Sequence, residues 1–98
     1  MSNRQPITRM KSQENQLAQA LGRRLRYLRA QTGLTQLGLG RKASMDRTYI
    51  SRLERGRILP RYIAMVQLAD SLGVSIVELV QHPPRSDDKP TVTNTTRL

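Results

Sequence analysis

Five polar side chains between residues 47 and 55 have the types and spacing to bind an anionic or hydrogen-bonding ligand. At about 100° per residue, an α-helix would place them on one side and the apolar residues of the same segment on the other. The polar set is Arg47, Thr48, Ser51, Arg52 and Arg55, and the apolar set is Tyr49, Ile50 and Leu53. The polar side holds three arginines and no acid, whereas an ordinary solvated helix face mixes both signs. Because arginine binds phosphate and guanine edges bidentately, we expect a nucleic-acid ligand rather than only solvent.

This helix is predicted to be the second of two short helices joined by a turn at Ala43–Met45. Thr35 is the expected N-cap of the first, from about residue 36 to 42, and Asp46 is the expected N-cap of the second, which runs to about residue 55. Gly38 and Gly40 each cost a helix about 1 kcal/mol relative to alanine, so the first helix must depend on tertiary packing. The pair is a helix-turn-helix, an arrangement that points to DNA.

Three more helices are predicted around this pair. The first begins near Ser12 or Glu14, places a leucine stripe toward the core and ends at Gly33, a left-handed cap. Another takes Pro60 in its first turn and buries a stripe closed by Gly73, and Ser75 with Glu78 forms a capping box that opens a short helix from about 76 to 80. The two stripes are Leu17, Leu21, Leu25 and Leu28, and Met65, Leu68, Ala69 and Leu72.

The chain is therefore predicted to be an all-α protein with a compact five-helix domain over residues 12–80. No stretch alternates apolar and polar residues as a strand would. Residues 1–11 are expected to form a flexible arm and residues 81–98 a disordered tail, since both are polar and contain proline.

Charge and composition narrow the possible functions. The chain carries 17 Lys and Arg against 7 Asp and Glu, a formal charge of +10, which predicts a polyanionic partner. It has no cysteine, no apolar leader and no membrane-length apolar run, so we expect a cytoplasmic protein without membrane association. His82 has no second ligand nearby, so no metal or other cofactor is expected, and no nucleophile and base are paired as in an enzyme.

Residues 21–80 resemble the DNA-binding domain of the lambda-repressor-like, Xre/Cro-type helix-turn-helix family. The motifs are Leu25-Arg26-x-x-Arg29, Gly33-Leu34-Thr35-Gln36, Tyr49-Ile50-Ser51-x-Leu53-Glu54-x-Gly56, Pro60, and Leu68-Ala69-x-x-Leu72-Gly73-Val74-Ser75. The family often has Glu at the position of Gly38, Ala at that of Gly40 and Gly at that of Ser44, so the first helix of the pair and the turn are expected to be less rigid here.

The resemblance implies a sequence-specific regulator of transcription that binds double-stranded DNA, usually a repressor acting as a homodimer on a palindromic operator. Arg47, Thr48 and Arg52 fall at base-reading positions, although a phosphate contact competes with readout for Arg47. Arg29 and Glu54 match a largely buried structural ion pair. The positions that match or suit contacts to the DNA backbone are Gln36, Tyr49, Ser51, Arg55, Arg57 and Arg61.

The last short helix offers a second kind of contact. Ile76, Val77 and Val80 make it apolar on more than one side, which suggests a homodimer seam or a tail that folds back over it. An antitoxin-like or adaptor protein, with DNA binding secondary or autoregulatory, is the alternative function. RNA binding is less favoured, because the chain has three Tyr and no Phe or Trp for stacking on bases.

Overall fold

The structure is a computed structural model, and it describes residues 11–81. Within that range the chain forms five helices and no strand: α1 (Ser12–Thr32), α2 (Gln36–Ala43), α3 (Arg47–Glu54), α4 (Tyr62–Leu72) and α5 (Ile76–Val80). The predicted all-α, five-helix class is confirmed. The arm over 1–11 and the tail over 81–98 fall outside the described residues except for Lys11 and Gln81, and His82 also lies outside them.

Local signals in the sequence set most of the helix ends. The Thr35 hydroxyl accepts a hydrogen bond of 2.9 Å from the Gly38 N–H and caps α2. At α5 the predicted capping box is present, with Ser75 Oγ accepting from the Glu78 N–H and Glu78 Oε1 accepting from the Ser75 N–H. Gly33 and Gly73 end α1 and α4 in the left-handed conformation.

One helix start differs from the prediction. Pro60 was placed in the first turn of α4, but α4 begins at Tyr62, and Arg61 occupies the N-cap position with extended backbone angles. An extended residue after the proline delays the first helical turn, so Pro60 lies in the connection before the helix. The remaining boundaries differ from the predictions by at most one residue, as is usual at helix ends.

The two predicted apolar stripes supply part of the core, with Leu21 and Met65 only partly buried, and the other helices supply the rest. Its fully buried members come from all five helices: Leu25, Leu39, Ile50, Leu53, Leu68 and Leu79. Leu17 departs from the prediction, since it is 47% exposed. It lies near the start of α1, before Ala18, the first buried residue of that helix, and so at the edge of the core rather than inside it.

Candidate nucleic-acid interface

Helix α3 presents its arginine side to solvent. Arg47, Thr48 and Arg52 are exposed, whereas Ile50 and Leu53 on the opposite side are fully buried in the core. The predicted division of the helix into a polar and an apolar side is therefore present in the structure. Since the burial of two large apolar side chains fixes the rotation of the helix, the three polar side chains are held on the outer surface.

The start of α3 differs in one respect from the prediction. Asp46 has the extended backbone of an N-cap residue, but its carboxylate makes no hydrogen bond to the first-turn N–H groups. The expected side-chain cap is therefore wrong. Packing of Ile50 and Leu53 holds the helix instead, and its first N–H groups are left available to solvent or to an anion.

A buried carboxylate ties the end of α3 to α1. Glu54 is only 6% exposed, and its two oxygens accept hydrogen bonds from Nε and Nη2 of Arg29 in a bidentate ion pair. This is the pair that the family resemblance implies. Nη1 of the same arginine donates to the carbonyl oxygen of Leu34 at 2.9 Å, so the guanidinium also fixes the α1–α2 turn.

The side-chain hydrogen bonds to Glu54 raise the pKa of the Arg29 guanidinium above its usual value, desolvation by burial opposes the rise, and the charge of Glu54 adds to it. Because the pKa of Arg29 is higher in the folded than in the unfolded state, the charged form of Arg29 stabilises the fold. This stabilisation is complete at pH values below the unfolded-state pKa and is lost only as the pH rises through the folded-state pKa. Arg29 therefore remains charged throughout the physiological range.

Gln36 joins the same carboxylate. Its Nε2 donates to Oε1 of Glu54 at 3.0 Å, and the residue is half-buried at the first position of α2. A carboxylate only accepts hydrogen bonds, so the amide nitrogen must face it, which leaves the second N–H and the amide oxygen of Gln36 for another partner. Gln36 is predicted to contact the DNA backbone, and no local pattern in the sequence indicates this second contact.

The other predicted backbone-contact residues lie within α3 or in the segment between α3 and α4. Tyr49 and Ser51 are half-buried, whereas Arg55, Arg57 and Arg61 are exposed after the end of α3. Arg55 is the C-cap residue rather than part of the helix, and its Nε donates to the carbonyl oxygen of Ser51. The N–H of Arg57 donates to the carbonyl oxygen of Arg52 at 3.0 Å, which closes the end of the helix and keeps these cations near it.

Two glycines permit close approach of backbone at this site. A Cβ at Gly22 in α1 would overlap the carbonyl oxygens of Leu53 and Glu54, and one at Gly40 in α2 would overlap that of Met45. The first glycine lets α1 lie directly against the end of α3, and the second lets α2 lie against the turn. The only sequence signal for Gly22 was a glycine inside a helix, which is unfavourable without such a reason.

Arg24 makes contacts that join two helices. Its Nε donates to the carbonyl oxygen of Glu78 at 2.8 Å, and its guanidinium lies 5.4 Å from the centre of the Tyr27 ring. It thereby joins α1 to the C-terminal end of α5, where a cation is favoured by unsatisfied carbonyl groups. A phosphate contact by Arg24 would compete with this bond.

Helix α5 borders an apolar surface. Ile76 packs partly against the domain's own core, whereas Val77 and Val80 are 66% and 41% exposed. Val80 also lines an open groove of about 300 Å³ whose other lining residues are Leu17, Leu21, Leu59 and Met65. Of the three dimer candidates, Val77 and Val80 thus offer the apolar surface that a partner would cover.

Comparison with known proteins supports the class that the fold and the α3 surface define. The sequence profile of the helix-turn-helix domain matches residues 20–82. The chain is 43% identical over 60 residues to y4dJ, an uncharacterized HTH-type transcriptional regulator of Sinorhizobium fredii, covering 61% of this chain and 78% of that one. It is also 32% identical over 60 residues to the immunity repressor protein of Bacillus phage phi105. The matched residues make up 61% of this chain but only 42% of the repressor.

Among solved structures, the restriction-modification controller protein C.AhdI of Aeromonas hydrophila is similar in fold. The two share 34% sequence identity with a TM-score of 0.62, over 63% of this chain and 94% of the controller. The chain belongs to the helix-turn-helix domain family, and its domain is lambda-repressor-like, as its motifs predicted. Members of this class are regulators of transcription that bind double-stranded DNA.

Within residues 11–81, no helix is both long and apolar enough to cross a membrane. No group of three or more His, Asp or Glu side chains in the same part of the chain could hold a metal ion.

Proposed function

We propose that this protein is a sequence-specific repressor that binds a palindromic operator as a homodimer, with α3 of each copy in the major groove. The observation that carries the proposal is the exposed surface of Arg47, Thr48 and Arg52, which has no acid on it and is fixed by the buried side of the same helix. Such a surface matches the hydrogen-bonding edges of bases, and arginine is the side chain best suited to guanine.

The backbone contacts are proposed to come from residues on either side of the reading helix. Gln36 at the start of α2, Tyr49 and Ser51 within α3, and the exposed cations that follow α3 would hold the duplex while α3 reads it. Those cations are Arg55, Arg57 and Arg61. Their contacts are independent of base sequence, so they would set affinity and register rather than specificity.

A homodimer is proposed because one helix reading one half-site gives little specificity. The exposed apolar side chains of Val77 and Val80 supply a surface for a second copy, and the groove beside Val80 enlarges it. With one copy on each half-site, the half-site centres would lie about 34 Å apart, one turn of B-form DNA.

The electrostatic part of the proposal is tested by measuring affinity for duplex DNA over a range of salt concentrations. If a dimer neutralises about six to eight phosphates, the logarithm of the association constant should fall against the logarithm of salt with a slope of about −5 to −7. A slope near zero would contradict binding through this cationic surface.

The apolar groove also supports a second candidate, an antitoxin-like or adaptor protein whose partner occupies the surface around Val80. The two candidate functions are distinguished by measuring the mass of the protein with and without DNA. A dimer mass and sequence-selective binding support the repressor, whereas a monomer without sequence selectivity supports the adaptor.

A further inference from the structure

The buried carboxylate of Glu54 contacts two residues for which the sequence suggested separate roles. Arg29 was expected to be structural and Gln36 to bind the DNA backbone, yet both donate to Oε1 of Glu54, each at 3.0 Å. One oxygen atom therefore connects the ion pair inside the domain to a side chain at its surface.

We infer that Glu54 is a positioning residue for DNA binding, which acts by holding the Gln36 amide in the orientation that meets a backbone phosphate. This inference rests on the proposed function. A free glutamine side chain samples many rotamers, and their loss on binding lowers affinity. Hydrogen bonding to Glu54 fixes the amide before DNA arrives and still leaves its second N–H to donate to a phosphate oxygen.

The charge balance of the cluster permits this arrangement. A carboxylate at the edge of a DNA-binding surface would by itself repel phosphate. Here Glu54 is paired with Arg29 through both of its oxygens, and it is almost completely buried, so the cluster presents the amide and not the carboxylate to the surface. Arg29 also binds the Leu34 carbonyl oxygen, so the turn that leads into Gln36 is fixed by the same cluster.

The test is a double-mutant cycle between Gln36→Ala and Glu54→Met, with affinity measured for a short duplex of random sequence. The probe is suitable because a backbone contact does not depend on the operator. In the wild-type background Gln36→Ala should weaken binding roughly tenfold, the effect of a hydrogen bond to a charged group. In the Glu54→Met background, where no side-chain oxygen is left to accept from Gln36, the same change should have an effect of less than about twofold, because the amide is no longer oriented.

The matched control is Arg61→Ala, an exposed cation outside the cluster, whose effect should be the same in both backgrounds. A merely structural role for Glu54 would make the Gln36→Ala effect equally large in both backgrounds, and that result would overturn the inference. If the wild-type protein does not bind duplex DNA, the proposed function fails and the inference fails with it. If the wild type binds duplex DNA but the effects of the two substitutions are additive, the inference is overturned and the proposed function is not.

Glu54→Met leaves the partly buried Arg29 without its carboxylate and can prevent folding. A second measurement on the wild-type protein then decides the question. NMR relaxation of the Gln36 side-chain amide should give an order parameter near that of rigid backbone, about 0.85, while the exposed side chain of Gln31 should fall below about 0.6. Equal mobility of the two side chains would overturn the inference.

Discussion

Arg24 in α1 donates a hydrogen bond of 2.8 Å to the main-chain carbonyl oxygen of Glu78 in α5, joining residues 54 positions apart in the chain. The same guanidinium reaches the Gln81 side chain at 3.4 Å. Because α5 has only five residues, it is too short to be stable as an isolated helix and depends on such contacts and on the burial of Leu79.

Replacing Arg24 by methionine, which keeps the aliphatic stem and removes the donors, should lower the free energy of unfolding by about 1 kcal/mol. Urea denaturation measures the change. The neighbouring exposed Arg23→Met is the control and should alter stability by less than about 0.5 kcal/mol. Equal losses in the two variants would show that the contact with α5 does not stabilise the fold.

The two glycines of α2 are expected to respond differently to alanine. A Cβ at Gly40 would overlap the Met45 carbonyl oxygen, whereas one at Gly38 would meet only side-chain atoms, the nearest being Thr35 Oγ1 at 3.2 Å. Gly40→Ala should therefore destabilise the protein by about 1 to 3 kcal/mol, despite the higher helix propensity of alanine. Gly38→Ala should stabilise the protein by between zero and about 1 kcal/mol. Thermal unfolding of the two variants tests this difference. A Gly40→Ala variant at least as stable as the Gly38→Ala variant would contradict the close approach of Gly40 to the Met45 carbonyl oxygen.

Ser44 ends α2 in the left-handed conformation, with φ of 60°, where a side chain is unfavourable. Ser44→Gly should stabilise the protein by about 0.5 to 1 kcal/mol, because the relief of this conformation exceeds the added entropy of the unfolded chain. Calorimetry would measure the change as a higher Tm. Ser71→Gly, in the helical backbone of the last turn of α4, is the matched control and should lower the Tm. A decrease for both variants would show that the turn at Ser44 is not strained.

These glycine and serine positions show what the sequence could and could not reveal. The helix order, the caps at Thr35 and Ser75, and the two sides of α3 followed from periodicity and capping residues, because those signals act within a few residues of one another. Gly40 was interpreted as a weak point of α2, since its contact with Met45 depends on how the turn folds back. The contacts of Arg24 with Glu78 and of Gln36 with Glu54 also join separate elements, so no local pattern contained them.

The proposed dimer seam is tested at Val77, the most exposed of its apolar residues. Val77→Asp should raise the dimer dissociation constant at least roughly tenfold, because a charge would have to be buried between the copies, and should leave the fold nearly unchanged. Sedimentation equilibrium measures the constant. Ile63→Asp, which changes a similarly exposed side chain in α4, is the control. An unchanged mass distribution for Val77→Asp would place the seam elsewhere or exclude a dimer.

Selection of bound sites from random duplexes, carried out with the wild-type protein, Arg47→Ala and Arg52→Ala, tests the central claim most directly. We expect the wild type to enrich a two-fold symmetric site with half-site centres about 34 Å apart. Each variant should lose about 1 to 3 kcal/mol of affinity and relax its preference at one base position of each half-site. Failure of the wild type to enrich any sequence, or equal weakening of all sequences by both variants, would contradict base reading by α3.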